Sequence, residues 1–289
     1  MPKVLVLGST GMLGSAVVSE LATAGLNPQV ASRTQGLQFD AGELKAIELL
    51  RAANFGEGDF VVNCVGLTKS RIDESSIESR ALAVRLNVDF PVALAEAAAK
   101  LGVKVVQVAT DCVFSGTVGG YLETSPHDAL DVYGKTKSLG EVPSASVMHL
   151  RCSLIGPELG RNSLFFEWVR QQYHGAQILG FTNHLWNGLT SKAFGKIVKG
   201  IIKSDLFESG VHHLVPASQV TKDELVRLEL KHLGRDDVLV NSAAAAYAVD
   251  RTLRTANSAF NNKLFLSAGY KAIPTIEEMV SEICADLPN

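Results

Sequence analysis

The chain has 289 residues, 46% of them apolar, with 27 basic and 30 acidic residues giving a formal charge of -3. That length suits one or two domains with a sizeable core, and the balanced charge, without any Lys/Arg cluster interleaved with aromatics, argues against nucleic acid as a partner. The apolar start is broken by glycine every three residues and is needed for a first strand, so it reads as part of the fold; no membrane span and no targeting segment are expected.

In chain order, the apolar run Val4–Leu7 predicts a strand, followed by Gly8-Ser9-Thr10-Gly11-Met12-Leu13-Gly14 and a helix over 15–24. Strand, glycine turn and helix start together make a phosphate cradle, since glycine permits the tight turn and the helix N-terminus favours an anion. The spacing is Gly-x-x-Gly-x-x-Gly, a variant of the dinucleotide fingerprint, and a plain glycine-rich turn is the alternative. The next strand, Gln29–Ser32, runs into Arg33-Thr34, where a site preferring NAD would carry an acidic residue for the ribose hydroxyls. A guanidinium beside a small hydroxyl instead suits a 2′-phosphate, which favours NADP(H) over NAD(H), with Ser32 and Arg33 at that end. The alternative for Arg33 is a solvated loop residue.

A third strand, Phe60–Asn63, leads into Cys64-Val65-Gly66, a turn whose backbone would approach the cofactor. A long Ala- and Leu-rich helix over 77–101 ends at Gly102, and the strand Lys104–Ala109 delivers Thr110-Asp111-Cys112-Val113-Phe114. An irregular glycine-bearing loop, 115–131, then precedes a helix with Tyr133 and Lys137. Four residues apart on a helix, these two share a face, so the ammonium can favour the phenolate electrostatically and bring a group of pKa ~10 toward useful proton transfer. Thr110 would hold a substrate oxygen with its hydroxyl. An isolated Tyr-x-x-x-Lys also arises by chance on surface helices; here it accompanies the glycine turn. The strand Val147–Arg151 completes an alternation of strands and helices that implies a parallel, doubly wound α/β sheet.

Beyond Arg151 the rhythm changes, with Gly156-Pro157, a helix from Ser163 to residue 174, a stretch over 180–188 containing Trp186, and a helix over 191–202. His212 and His213 lie in a strand-like run, 211–215, where neighbours face opposite sides and do not readily share a metal. Cys64, Cys112, Cys152 and Cys284 have no metal-ligand spacing and read as reduced thiols, Cys64 and Cys112 near the cleft but serving as small buried hydrophobes.

Taken together, the glycine loop, Asn63 to Gly66, Asn87 to Asp89, Thr110 to Phe114, Tyr133 to Glu141 and Asp250 to Leu253 resemble the extended short-chain dehydrogenase/reductase superfamily. Within it, the chain is most similar to the dTDP-4-dehydrorhamnose reductase-like, sugar-nucleotide-binding branch. The resemblance implies a Rossmann domain over 1–155, with returns near 183–205 and 238–252, and a smaller interleaved substrate lobe mainly over 156–289. It implies hydride delivery from NADPH to a keto carbon of a nucleotide-linked deoxysugar, with Tyr133 as proton donor, Thr110 orienting the carbonyl and Lys137 on the nicotinamide ribose. Asp40 falls at the family's adenine position, and Asp111, Val113, Phe114 and Trp186 are its expected substrate contacts, with packing as the alternative for Trp186. Dehydratases of the superfamily show Thr-Asp-Glu where this chain has Thr110-Asp111-Cys112, and a thiol does not readily replace that catalytic carboxylate. Two alternatives remain, a nucleotide-sugar epimerase retaining its cofactor and a non-catalytic NADP-binding subunit, as in one relative that regulates methionine adenosyltransferase. A cytoplasmic homodimer without metal is the expected setting.

Overall fold

A computed structural model of the chain describes residues 1–158 and 164–287. In chain order its strands are β1 (Val4–Leu7), β2 (Gln29–Ser32), β3 (Leu37–Gln38), β4 (Phe60–Asn63), β5 (Lys104–Ala109), β6 (Val147–Arg151) and β7 (Leu154–Ile155). They continue with β8 (Gln177–Phe181), β9 (His184–Trp186), β10 (Leu189–Thr190), β11 (Gly210–His213), β12 (Val220–Thr221), β13 (Leu239–Ala243) and β14 (Val249–Asp250). The helices are α1 (Met12–Thr23), α2 (Ala46–Ala52), α3 (Ile77–Val84), α4 (Phe90–Leu101), α5 (Val132–Leu139), α6 (Phe165–Arg170), α7 (Ser191–Lys203), α8 (Lys222–His232), α9 (Ser258–Ser267) and α10 (Ile276–Cys284).

Seven strands form one all-parallel sheet in the order β11-β6-β5-β4-β1-β2-β3. Every residue of β1, β4 and β6 is buried, because helices cover both faces and leave no solvent side on which polar residues would alternate. One face packs against α1 and α7 through Val17, Leu21, Phe194, Ile197 and Ile201, the other against α2 and α4 through Leu49, Leu50, Phe90 and Leu94. The chain reverses direction across the sheet between β1 and β4, which opens a crevice at their carboxyl ends.

All five strands expected in the first half occur with the expected bounds. The helix over 77–101 exists, but its middle, Arg85–Asp89, is a π-turn joining α3 to α4; Gly102, at φ 70°, ends it in the left-handed conformation. The first helix begins three residues early, at Met12, because Gly11 already has the extended backbone of a cap residue. The predicted helix start at Ser163 lies outside the described residues, and the described part ends at Arg170, ahead of the left-handed turn at Gly175.

Smaller sheets build the second half. β8 pairs with β13 and packs on α8, while β9 is flanked by β12 and β14. The segment 249–254 straps this part to the loop behind β5: the Asp250 amide donates to the Gly116 carbonyl at 2.7 Å, Tyr121 bridges Leu253, and the Gly120 amide donates to Thr252 Oγ1 at 3.0 Å. No helix among the described residues is long and apolar enough to cross a membrane.

Candidate active site

The glycine turn is shaped by what it must avoid. Gly8 takes a φ of 75°, and a side chain there would put a Cβ 2.9 Å from the Cys64 carbonyl carbon. At Gly14 a Cβ would stand 2.1 Å from the Gly8 carbonyl oxygen, so only glycine lets α1 begin this close to the strand it leaves. The Gly11 cap offers no side-chain acceptor to the first turn of α1, and Ser9 Oγ is buried with no partner. Open amides and an orphan hydroxyl at a helix N-terminus fit the pyrophosphate of a dinucleotide.

Thr10 to Gly14 form one wall of a cleft of about 450 Å³. Cys64, Val65 and Gly66 from the end of β4, Thr110, Asp111 and Cys112 from the end of β5, and Tyr133 and Lys137 from α5 complete it. Asp131 caps α5 by accepting from the Gly134 amide at 2.7 Å. Gly134 itself lies where a Cβ would come within 2.4 Å of the Cys112 carbonyl, and that close approach brings Tyr133 to the end of β5. Thr110 Oγ1 donates to Asp111 Oδ1 and accepts from the Cys112 amide, both at 3.2 Å.

The electrostatics correct one expectation. Burial pushes the Tyr133 phenol well above its ordinary pKa, the nearby Cys112, Asp111 and Asp131 add to the shift, and only the Thr110 hydroxyl opposes it. Lys137 turns its Nζ to the Val108 carbonyl, donating at 2.9 Å, and burial lowers its pKa to about 8 against the pull of Glu141. Burial likewise raises Cys64 and Cys112 to about 12, so both cleft thiols are protonated and weakly nucleophilic. Asp111 is raised by burial and held back chiefly by Arg251.

The remaining expected residues divide. Arg33 and Asp40 share a second depression beyond β2 and β3; Asp40 uses one carboxylate oxygen to accept from the Gly42 amide. Ser32 spends its hydroxyl on its own turn, donating to the Gln35 carbonyl and accepting from the Gln35 amide. Val113, Phe114 and Trp186 are not on the cleft wall. Val113 and Phe114 are fully buried, with Phe114 stacked on Tyr121 at 4.2 Å, and Trp186 is 5% exposed beside Gly188. Apolar side chains adjoining the site found closed packing instead. Thr68 to Arg71, Ser153, Leu154, Glu158 and Leu164 also line the cleft, and the charges of Arg251 and Lys222, from the second half, favour the ionised form of Asp111. Only Asp250 to Leu253 carried a sequence signal for any of these. No group of three or more His, Cys, Asp or Glu among the described residues can hold a metal ion.

The parallel, doubly wound sheet, with its cleft at the switch point between β1 and β4, is of the architecture on which dinucleotides are bound in open α/β folds. Residues 2–165 match the family model described as RmlD substrate binding domain, and the chain belongs to that family. It is 31% identical over 146 residues to a dTDP-4-dehydrorhamnose reductase of Mycobacterium tuberculosis, covering 48% of this chain and 44% of that protein. It is 32% identical over 146 residues to methionine adenosyltransferase 2 subunit beta of Xenopus tropicalis, covering 48% and 41%. The matched region thus spans less than half the length of these relatives. The structure of dTDP-4-dehydrorhamnose reductase from Bacillus anthracis in complex with NADP superposes with a TM-score of 0.79 at 20% identity, covering 99% of this chain and 100% of that one.

Proposed function

We propose that the chain is an NADPH-dependent reductase of a keto-deoxysugar carried on a nucleotide. One observation carries the reading: Thr110, Tyr133 and Lys137, from two different elements, line one cleft whose opposite wall is the glycine cradle. The RmlD family and the reductase relatives support the substrate class, and the NADP named with the Bacillus anthracis structure supports the cofactor.

A bound nicotinamide nucleotide supplies the hydride. Thr110 turns its hydroxyl from Asp111 to the substrate carbonyl and orients it. Tyr133, kept neutral by burial, gives its proton to that oxygen as the carbon is reduced, so the ketone gains a hydride and a proton to become an alcohol. Lys137 would hold the nicotinamide ribose, Gly8 to Gly14 the pyrophosphate, Arg33 with the adjoining Ser32 turn the 2′-phosphate, and Asp40 would serve the adenine end. Asp111 contacts the sugar. Residues 156–289 are mainly the lobe that covers the substrate, returning to the cofactor domain near 183–205 and 238–252. We place the protein in the cytoplasm, in keeping with four free cysteines, as a homodimer for which Ile77, Leu82 and Leu139, exposed on α3 and α5, supply an apolar face.

The test is NADPH oxidation with dTDP-, UDP- and GDP-linked 4-keto-deoxyhexoses, with products followed by mass spectrometry. One NADPH consumed per alcohol formed, without loss of water from the sugar, is expected. Product formed with NADPH unchanged overturns the reading in favour of an epimerase. The similarity to methionine adenosyltransferase 2 subunit beta favours a second reading, a regulatory subunit; NADPH binding without turnover of any of these sugars would support it.

A further inference from the structure

Behind the cleft lies a buried charged network that the proposed chemistry does not use. Glu141 follows the end of α5 and stands four residues after Lys137, which stands four after Tyr133. The chain passes there only because residue 140 is glycine: a Cβ would fall 2.0 Å from the Asn87 carbonyl oxygen. Glu141 is clamped by Arg151 of β6, whose Nε donates to Oε1 at 3.0 Å while Nη2 donates to Oε2. Arg151, 1% exposed, also donates from Nη1 to His213 Nε2 at 2.7 Å and from Nη2 to His127 Nε2 at 2.9 Å.

These contacts set both imidazoles. An Nε2 that accepts leaves the ring proton on Nδ1, where His213 donates to the Arg254 carbonyl and His127 to Ser138 Oγ, each at 2.7 Å. Both rings are therefore neutral, and the Arg151 guanidinium lies 5.2 Å from the Phe114 ring centroid. The network ties the end of α5 to β6, β11, the 115–131 loop and the strap. A buried ion pair of this kind adds little net stability over an apolar replacement, so stability alone does not account for it.

We propose that Glu141 is a positioning residue for Lys137, its carboxylate fixed by Arg151 and the two neutral histidines so that the lysine ammonium stays charged in a dry part of the cleft. Glu141 contributes the largest favourable electrostatic effect on Lys137, and both groups act on the buried His149 of β6. Besides Lys137, Arg151 and His149, Glu141 faces His127 at 3.7 Å and also acts on His213. Without the carboxylate, burial goes unopposed and Lys137 loses its proton at lower pH.

The inference rests on the reading that Lys137 contacts the cofactor, and NADPH binding tests the two separately without needing turnover. Calorimetric titration of the wild-type protein should give a constant Kd in mild acid that weakens above about pH 8. The double variant Glu141→Gln with Arg151→Gln replaces an ion pair by an amide pair and leaves no charge unpaired. Its break should fall by about one pH unit, making binding about tenfold weaker above the break and equal to wild type near pH 6. Glu141→Asp, which keeps the charge but draws it back, should break at an intermediate pH. Weakening by the same factor at every pH, with the break unmoved, is what a merely structural role gives and overturns the proposal. Should Lys137→Met bind NADPH like wild type at all pH values, the cofactor role of Lys137 falls and the positioning role with it. Weak binding by Lys137→Met together with an unmoved break in the double variant refutes the positioning role alone.

Discussion

Tyr133 sits among groups that all resist its ionisation except Thr110. That environment suits a residue whose task in a reduction is to hold a proton until the substrate oxygen needs it. Tyr133→Phe should lower turnover by about 10²–10⁴-fold and leave NADPH affinity nearly unchanged, as rate and binding measurements on one preparation would show. Arg33 is exposed at the mouth of the second depression and has no competing salt bridge among the described residues. Arg33→Ala should weaken NADPH binding by about tenfold, the value of a charge-assisted hydrogen bond, while NADH binding stays the same. Equal losses for both cofactors would remove the 2′-phosphate assignment.

Among the elements, the turn from β1 into α1 tolerates the least. Gly14→Ala brings a methyl group against the Gly8 carbonyl oxygen, a backbone atom with no rotamer to escape into. Dinucleotide affinity should fall at least about tenfold, and the folded state should lose about 1–3 kcal/mol, readable in a denaturant titration. β11 brings His213 beside Arg151, where burial and that guanidinium lower its pKa from 6.5 to about 4. The unfolded chain binds a proton at this histidine near pH 6.5 and the native one only near 4, so its contribution is complete above pH 6.5 and is lost as the pH falls toward 4. Unfolding free energies at pH 7 and 4.5 should differ by roughly 2–4 kcal/mol through this group, and His213→Asn should flatten that slope. The central strands were legible in the sequence because short runs such as Val4–Leu7 are apolar throughout. The π-turn was not, since Arg85–Asp89 keeps helical composition and differs only in phase. The short strands of the second half, often two residues long, carry too few positions to show a period.

Across the whole molecule, the site was legible where its residues are close in sequence and hidden where they are not. Thr110, Tyr133 and Lys137 were visible as motifs, whereas the charges of Arg251 and Lys222 come to act on Asp111 only after the chain returns. Val113, Phe114 and Trp186 pack away from the cleft wall, and a position next to a motif does not reveal which way a side chain turns. Lys222 and Glu229 add a desolvated lysine and a buried carboxyl in the second half. The Lys222 ammonium lies 4.1 Å from the Phe165 ring centroid, and Glu229, 0% exposed, has no hydrogen-bond partner and is pushed up to about 8 by burial. Replacing both at once, Lys222→Met with Glu229→Leu, removes a desolvated ammonium and a buried carboxyl without a hydrogen-bond partner, and should raise stability by about 1 kcal/mol or more, measured as a higher midpoint of thermal unfolding at pH 7.

The strap at 249–254 also sets the timing of assembly. Gly120 waits for Thr252, 132 residues downstream, and at ribosomal rates of about 5–20 residues per second the interval is roughly 7–26 s. By residue 151 a nascent chain has six of the seven strands of the main sheet, with Tyr133 and Lys137 already made, yet the Gly116 carbonyl, the Gly120 amide and Tyr121 still lack the partners at 250–254 that will fix them. The ribosome thus finishes most of the main sheet well before the segment that steadies the 115–121 loop, and for those seconds the growing chain should be open to chaperones and proteases where Tyr121 will later meet Leu253.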